Sequence, residues 1–270
     1  MNDTAKKKME KLANILREAG SVAVAFSGGV DSLFLLKVAA DTLGEKALAV
    51  TARSGAFPER EFQEASKFCR DEGIRQEIYE FHELEVEKFA QNPPDRCYFC
   101  KKALFEGITE IAEKNGISCV VDGSNLDDNQ DYRPGHRALM ELGIRSPLRE
   151  AGLEKAEIRE LSRELKLSSW NKPSCACLAS RFAYGEEITE EKLARVEKAE
   201  ELLLSLGFSQ MRVRVHGETA RIEVLPEEIE RLASRKVRTL VTEQFREYGF
   251  TYVSMDLAGY RTGSMNEVLL

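Results

Sequence analysis

Apolar residues recur along this chain with two periods, and the switches between them mark out its elements. Met9, Leu12, Ile15 and Leu16 fall at helical spacing and predict an amphipathic helix over residues 4–19. Val22-Ala-Val-Ala-Phe26 is a short apolar run of the strand type. Leu33–Ala40 is apolar on nearly every turn and predicts a buried helix closed by Gly44. The rhythm continues with strands at Lys46–Thr51, Arg75–Phe81 and Ile117–Val121 and helices at Glu59–Glu72, Lys101–Lys114 and Glu154–Leu165. Strands and helices in alternation pack as a doubly wound parallel sheet, with ligands at the carboxyl ends of the strands.

From Glu186 the pattern changes. Glu190–Leu206 predicts a strongly amphipathic helix, Met211–Val215 and Thr219–Val224 a hairpin, and Tyr252–Leu257 a last strand. Helices are expected at Pro226–Leu232 and Arg238–Tyr248, and residues 259–266 are expected to be a mobile tail. The expected organisation is an α/β domain over 1–170 and a smaller α+β domain over 171–270.

The turn between the first strand and the buried helix carries the first chemistry. Two adjacent glycines, Gly28 and Gly29, allow a sharp turn and close backbone approach to a ligand. The helix N-terminus that follows, with its unpaired N–H groups, favours an anion. A Gly-Gly turn with a serine or aspartate helix cap accounts for the same residues on structural grounds alone. The string lacks the third glycine of the dinucleotide fingerprint and the lysine of the Walker loop. Intact, Ser27-Gly-Gly-Val-Asp-Ser32 resembles the PP-loop of the N-type ATP pyrophosphatases, which cleave ATP to an adenylated substrate and pyrophosphate. That resemblance implies the adenine nucleotide alpha hydrolase-like fold, with ATP held by Ala25, Ser27, Gly28, Gly29 and Ser32. It also implies Mg2+ held through Asp31, a hard oxygen ligand suited to that ion. The adenine would lie near the second strand, at Thr51, Ala52 and Arg53.

Two further stretches leave alternatives open. Cys97-x-x-Cys100 follows Asn92-Pro-Pro and starts a helix, whose terminus lowers thiol pKa values. Zinc, an iron–sulfur cluster, a redox dithiol and plain packing all fit such a pair. Gly123-Ser-Asn125 leads into an acidic run, Asp127, Asp128 and Asp131, and then a loop at Tyr132-Arg133-Pro134-Gly135. The run is either a solvated turn or a magnesium-facing loop. Related PP-loop enzymes have a similar G-x-N-x-x-D string, which implies nucleotide-site roles for Asn125 and Asp128.

Ser169–Phe182 has no helical or strand period and gathers the single tryptophan, Lys172-Pro173, Cys175-x-Cys177 and Ser180-Arg181. A loop of such residues leans toward function, and thiols beside Lys172 and Arg181 are expected to be partly ionised. Arg212 and Arg214 share one face of their strand, which suits forked contacts to phosphate or a charged exposed surface. The Pro173–Arg181 string, with SGGVDS upstream and Met211-Arg-Val-Arg-Val-His-Gly217 downstream, is similar to the LarE family of ATP-dependent sulfur transferases, over nearly the whole chain.

That resemblance implies adenylation of a carboxylate of pyridinium-3,5-biscarboxylic acid mononucleotide with release of pyrophosphate. Sulfur then displaces AMP to give the thiocarboxylate, a step toward the nickel-pincer nucleotide of lactate racemase. Cys177, Cys175, Arg212 and Arg214 would be catalytic, with Ser180, Arg181, Glu200 and Glu223 near the pocket that holds the substrate phosphate. Members of the family differ in sulfur source. In one type the cysteine matching Cys177 gives up its own sulfur and becomes dehydroalanine. In the other, three cysteines hold a 4Fe–4S cluster whose open iron carries a sulfide. The CxxC pair favours the cluster type, with Cys97, Cys100 and Cys177 as ligands. Cys175 could substitute for Cys177 or relay sulfide.

Bulk composition narrows the class. A chain of 270 residues with 43% hydrophobic and 31% charged residues belongs with ordinary globular proteins. No apolar run reaches the length of a membrane span, and no apolar core follows the N-terminal lysines, so a cytoplasmic location and no membrane partner are expected. A net charge of −7 without a basic segment weighs against nucleic-acid partners, and so against a tRNA-thiolating PP-loop enzyme. An ammonia-using synthetase leaves the six cysteines without a use, and a sensing module would show no turnover. The expected partner is the small pyridinium mononucleotide, and the resemblance suggests a homo-oligomer, with a hexamer as its expected form.

Overall fold

The computed structural model describes residues 3–130, 134–173 and 175–269. Asp131, Tyr132 and Arg133 of the acidic run and its loop, and Ser174 of the cysteine loop, lie outside the described residues. The chain forms two compact units, Met1–Val86 with Asp95–Cys175, and Glu87–Pro94 with Ala176–Leu270.

The first unit holds α1 (Asp3–Ala19), β1 (Val22–Ala25), α2 (Val30–Leu43), β2 (Ala47–Arg53), α3 (Glu59–Asp71) and β3 (Arg75–Glu80). It continues with α4 (Arg96–Lys114), β4 (Val120–Val121), α5 (Pro134–Glu141), α6 (Pro147–Glu150) and α7 (Lys155–Glu164). Its four strands are all parallel, in the order β3-β2-β1-β4. β1 and β2 read as unbroken apolar runs because both faces of the sheet are covered. Val22 and Val24 pack with Leu12, Phe34 and Ile158 from α1, α2 and α7. Ala23, Leu48 and Val50 pack on the other face with Phe105 and Ile108 of α4. The chain moves outward from β1 to β3 on one side and returns to β4 on the other. The crevice where that order reverses lies at the carboxyl end of β1, where the glycine turn emerges.

Two boundaries differ from the pattern. Helix α4 starts at Arg96 rather than after the cysteines, so Cys97 and Cys100 are its second and fifth residues. The strand expected over Ile117–Val121 is reduced to two residues.

The second unit holds α8 (Glu190–Ser205), β5 (Met211–His216), β6 (Thr219–Val224), α9 (Ile229–Ala233), α10 (Arg235–Glu247) and β7 (Tyr252–Met255). β5 and β6 form the expected antiparallel pair, and β7 adds parallel to β6. Residues 87–94 belong here because Asn92 is fully buried and donates through Nδ2 to the carbonyl of Ala183 at 2.7 Å. The Ile188 N–H donates in turn to the Ala90 carbonyl at 2.8 Å.

Residues 259–266 are not a mobile tail. Tyr260 donates its N–H to the Val224 carbonyl at 2.7 Å, and Ser264 is buried with its hydroxyl 2.8 Å from Glu223. Among the described residues no helix is long and apolar enough to cross a membrane.

Candidate functional site

β1 ends at Ala25 and the chain turns through Ser27-Gly-Gly29 into α2, with Gly29 as the N-cap. The Ser27 and Ser32 hydroxyls are 3.1 Å apart, and Ser32 donates to the Gly29 carbonyl at 3.2 Å. A cavity of about 540 Å³ opens over this turn, within the range of small-molecule sites. Ala25, Ser27, Gly29, Asp31 and Ser32 line it, as do Thr51 and Ala52 of β2 and Asn125 and Asp128 after β4. Arg53 is absent from that lining and pairs instead with Glu59 at 3.1 Å.

Gly28 is not on the cavity wall either. It sits at φ 72°, and a Cβ there would lie 3.0 Å from Ala65 Cβ and 3.3 Å from the Glu61 carbonyl oxygen. Its role is to let the turn pack on α3. Gly28→Ala forces a left-handed alanine, at about 1–2 kcal/mol, against a backbone that cannot yield. The expected result is a lowered melting temperature with a largely unchanged far-UV circular dichroism spectrum. A wild-type melting temperature in this variant would show that the packing against α3 is dispensable.

The acidic run closes on itself. Asp128 Oδ2 accepts the Asn125 N–H at 2.9 Å, Asn125 Oδ1 accepts the Asp127 N–H at 2.9 Å, and Asp127 Oδ2 accepts the Lys155 N–H at 2.8 Å. The G-x-N-x-x-D spacing thus builds a turn and joins it to the start of α7. Gly123 presses the same segment onto the glycine turn, since a Cβ there would lie 3.0 Å from the Ser32 nitrogen.

Two cavity cations carry no motif, Lys101 of α4 and Lys155 of α7. Lys155 Nζ lies 2.5 Å from Asp31 Oδ2, while Asp31 Oδ1 is buried and has no hydrogen-bond partner among the described residues. The signal that could have located Lys155 is the capping box of Glu154 and Glu157, which fixes the helix start. A carboxylate oxygen in the cavity lining is the hard ligand a divalent cation takes, and the N-terminus of α2 beside it favours the anion such a cation accompanies. Among the described residues no three His, Cys, Asp or Glu side chains form a metal-binding group. Mg2+ with a nucleotide needs only one or two carboxylates, because phosphate and water supply the other ligands.

The cysteines divide between the units. Cys97 is exposed and Cys100 half-buried at the start of α4, and Arg96 donates to the Cys97 sulfur at 3.6 Å. Cys175 is exposed and lines the cavity. Cys177 is half-buried and stands in the second unit, at the head of the short turn Leu178–Arg181. Cys69 belongs to the core, where burial pushes its thiol up to about 12.

The two cations expected to ionise the loop thiols are committed to carboxylates. Lys172 pairs with Glu61 at 2.7 Å and Glu64 at 2.6 Å; burial works against its charge, but the two carboxylates outweigh it and raise its pKa. Arg159 of α7 pins the same stretch, donating to the carbonyls of Trp170 and Lys172, each at 2.8 Å.

Arg181 enters a buried charge cluster in the second unit. Its fork meets Glu200 through two bonds of 2.8 Å and donates to the carbonyls of Ala176 and Cys177. Glu200 also accepts the Val213 N–H at 3.0 Å. Burial alone would raise the Glu200 pKa, but Arg181, with Arg212 and the Val213 N–H, outweighs it and holds the carboxyl below its usual range. Arg214 donates to Glu223 at 2.9 Å, to the Ser180 carbonyl at 3.2 Å and to Ser264 at 3.0 Å. Arg212 lies over the Tyr260 ring at 5.3 Å, and burial, then the neighbouring Arg181, push its guanidinium below the usual arginine value. Arg181 is thus paired with Glu200 and Arg214 with Glu223, and Arg212 shares their surroundings. The shared strand face was legible in the sequence, whereas the burial and the contribution of Ser264 were not.

No protein-family model matches the chain. A protein of Lactiplantibacillus plantarum named pyridinium-3,5-bisthiocarboxylic acid mononucleotide synthase is 40% identical over 264 residues, 97% of this chain and 95% of its own. An uncharacterised protein of Synechocystis sp. is 43% identical over 262 residues, covering 97% of this chain and 98% of its own. Argininosuccinate synthase of Haloarcula marismortui is 28% identical over 156 residues, 54% of this chain and 37% of its own.

Proposed function

The chain belongs to the LarE family of ATP-dependent sulfur transferases, and from that premise we propose that it thiolates a carboxylate of pyridinium-3,5-biscarboxylic acid mononucleotide at the expense of ATP. One observation carries the reading to this site. The SGGVDS turn sets an orphaned aspartate oxygen and the N-terminus of α2 on the wall of a nucleotide-sized cavity.

The N–H groups at the start of α2, with Ser27 and Ser32, hold the pyrophosphate end of ATP, where the helix dipole favours negative charge. Asp31 would hold Mg2+, which when bound would neutralise the phosphates and make pyrophosphate a better leaving group. The substrate carboxylate attacks the α-phosphorus, pyrophosphate departs, and an acyl-adenylate results. A sulfur nucleophile then attacks the acyl carbon and AMP departs with the bonding electron pair, leaving the thiocarboxylate. Arg212 and Arg214, on one face of β5, suit the substrate phosphate through forked, charge-assisted contacts.

The product of this step belongs to the synthesis of the nickel-pincer nucleotide of lactate racemase. For the sulfur source we favour a 4Fe–4S cluster held by Cys97, Cys100 and Cys177. Cys97, exposed, and Cys100, half-buried, lie three residues apart at the start of α4, a spacing that suits a shared cysteine ligand set. The cluster would supply sulfide from an open iron. A sacrificial Cys177 is the second reading, because that residue sits in the family's own cysteine string. The protein is read as cytoplasmic and homo-oligomeric.

Pyrophosphate release with MgATP should depend on the mononucleotide, and the product mass should show oxygen replaced by sulfur. Release driven instead by tRNA, with thiolated tRNA as product, would replace this reading by the tRNA one. Protein purified without oxygen should carry iron and acid-labile sulfide that Cys97→Ala removes. No iron after reconstitution, together with loss of one H₂S from the protein mass after turnover, would transfer the role to Cys177.

A further inference from the structure

The two oxygens of Asp31 have different surroundings. Oδ2 is 2.5 Å from Lys155 Nζ, whereas Oδ1 is buried without a hydrogen-bond partner among the described residues. Lys155 reaches this point through backbone constraints on both sides. It is the first residue of α7, the Glu154–Glu157 box fixes that start, and its N–H is bound to Asp127 at 2.8 Å. Its side chain remains 32% exposed, so the ammonium can change partner within the cavity it lines.

An ammonium and a divalent cation repel each other strongly when crowded on one carboxylate. Arrival of Mg2+ at Asp31 therefore calls for a new partner for Lys155. A nucleotide brings one, because its phosphate oxygens enter the same cavity, and an ammonium on a flexible stem can turn its three donors to them.

On the ATP reading above, we propose that Lys155 is a phosphate-binding residue that serves as counter-ion to Asp31 until MgATP arrives. It then passes from the carboxylate to a pyrophosphate oxygen as Mg2+ takes its place. The exchange is charge-matched at both ends and moves no proton. Its consequence is an order of binding, since free metal meets a carboxylate already neutralised and enters with the nucleotide.

Lys155→Met keeps the apolar stem and removes the charge. The probes are Mn2+ followed by electron paramagnetic resonance without nucleotide, and the magnesium complex of a non-hydrolysable ATP analogue followed by calorimetry. The variant should bind Mn2+ more tightly than wild type. It should bind the analogue roughly tenfold to a hundredfold more weakly, as for loss of one hydrogen bond to a charged group. Lys155→Arg should recover most of the analogue binding. An unchanged Mn2+ affinity, or an unchanged analogue affinity, overturns the proposal. Failure of the wild-type protein to bind the analogue refutes the ATP reading itself, and this inference with it.

Discussion

Asp31→Asn is expected to reduce pyrophosphate formation at least about a hundredfold, the scale seen when one charge-stabilising group is removed from a reacting centre. The substitution keeps the size of the side chain and takes away its charge. Asp31 lies in the first turn of α2 with one oxygen orphaned and the other on Lys155. An amide can no longer hold a divalent cation against the phosphates, and the unneutralised leaving group then raises the barrier to attack at phosphorus. Folding should change little, because the Asp31 side chain is 23% exposed and packs in no apolar cluster. The measurement is mononucleotide-dependent pyrophosphate release across a range of Mg2+, with a thermal melt on the same sample. Activity restored by high Mg2+ would mean that the carboxylate only assists a metal held elsewhere. Unchanged activity would remove Asp31 from the mechanism.

The parts of this molecule that could be read from sequence are those whose causes are local. The apolar runs of β1 and β2 are buried on both faces, so composition alone identifies them. The glycine turn announces itself because its backbone geometry is written in the residues that adopt it. The capping box marks only where α7 starts, because the contact of Lys155 with Asp31 spans 124 positions and depends on how the β4 loop meets α7. Ser264 is hidden for the same reason: its bonds to Arg214 and Glu223 span 50 and 41 positions, and its own neighbourhood reads as a polar tail. Asn92 precedes two prolines that break regular structure, yet its buried amide ties 87–94 to the second unit. Charge pairing is likewise illegible beforehand. Lys172 and Arg181 flank the cysteines in the chain, but the fold commits them to Glu61, Glu64 and Glu200.

The Arg181–Glu200 pair gives the largest expected effect on stability. Arg181 is 1% exposed, and its guanidinium is bound on both edges. Arg181→Met removes one charge and leaves Glu200 buried without its partner, at a cost of about 3–5 kcal/mol. A fall in melting temperature on the order of 10 °C is expected at neutral pH. Arg181→Met with Glu200→Leu removes both charges and should recover most of that loss, since an apolar pair needs no compensation. The pH dependence has a definite sign. Glu200 titrates below its ordinary value of 4.5 in the folded protein, so the unfolded chain binds its proton first as pH falls. The contribution is complete above the ordinary value and is lost as pH drops through the folded one. Wild type should therefore lose stability on acidification more steeply than the double variant. Parallel acid profiles for the two proteins, or a single substitution costing less than about 1 kcal/mol, would show that the pair orients Cys177 and Val213 without supporting the fold.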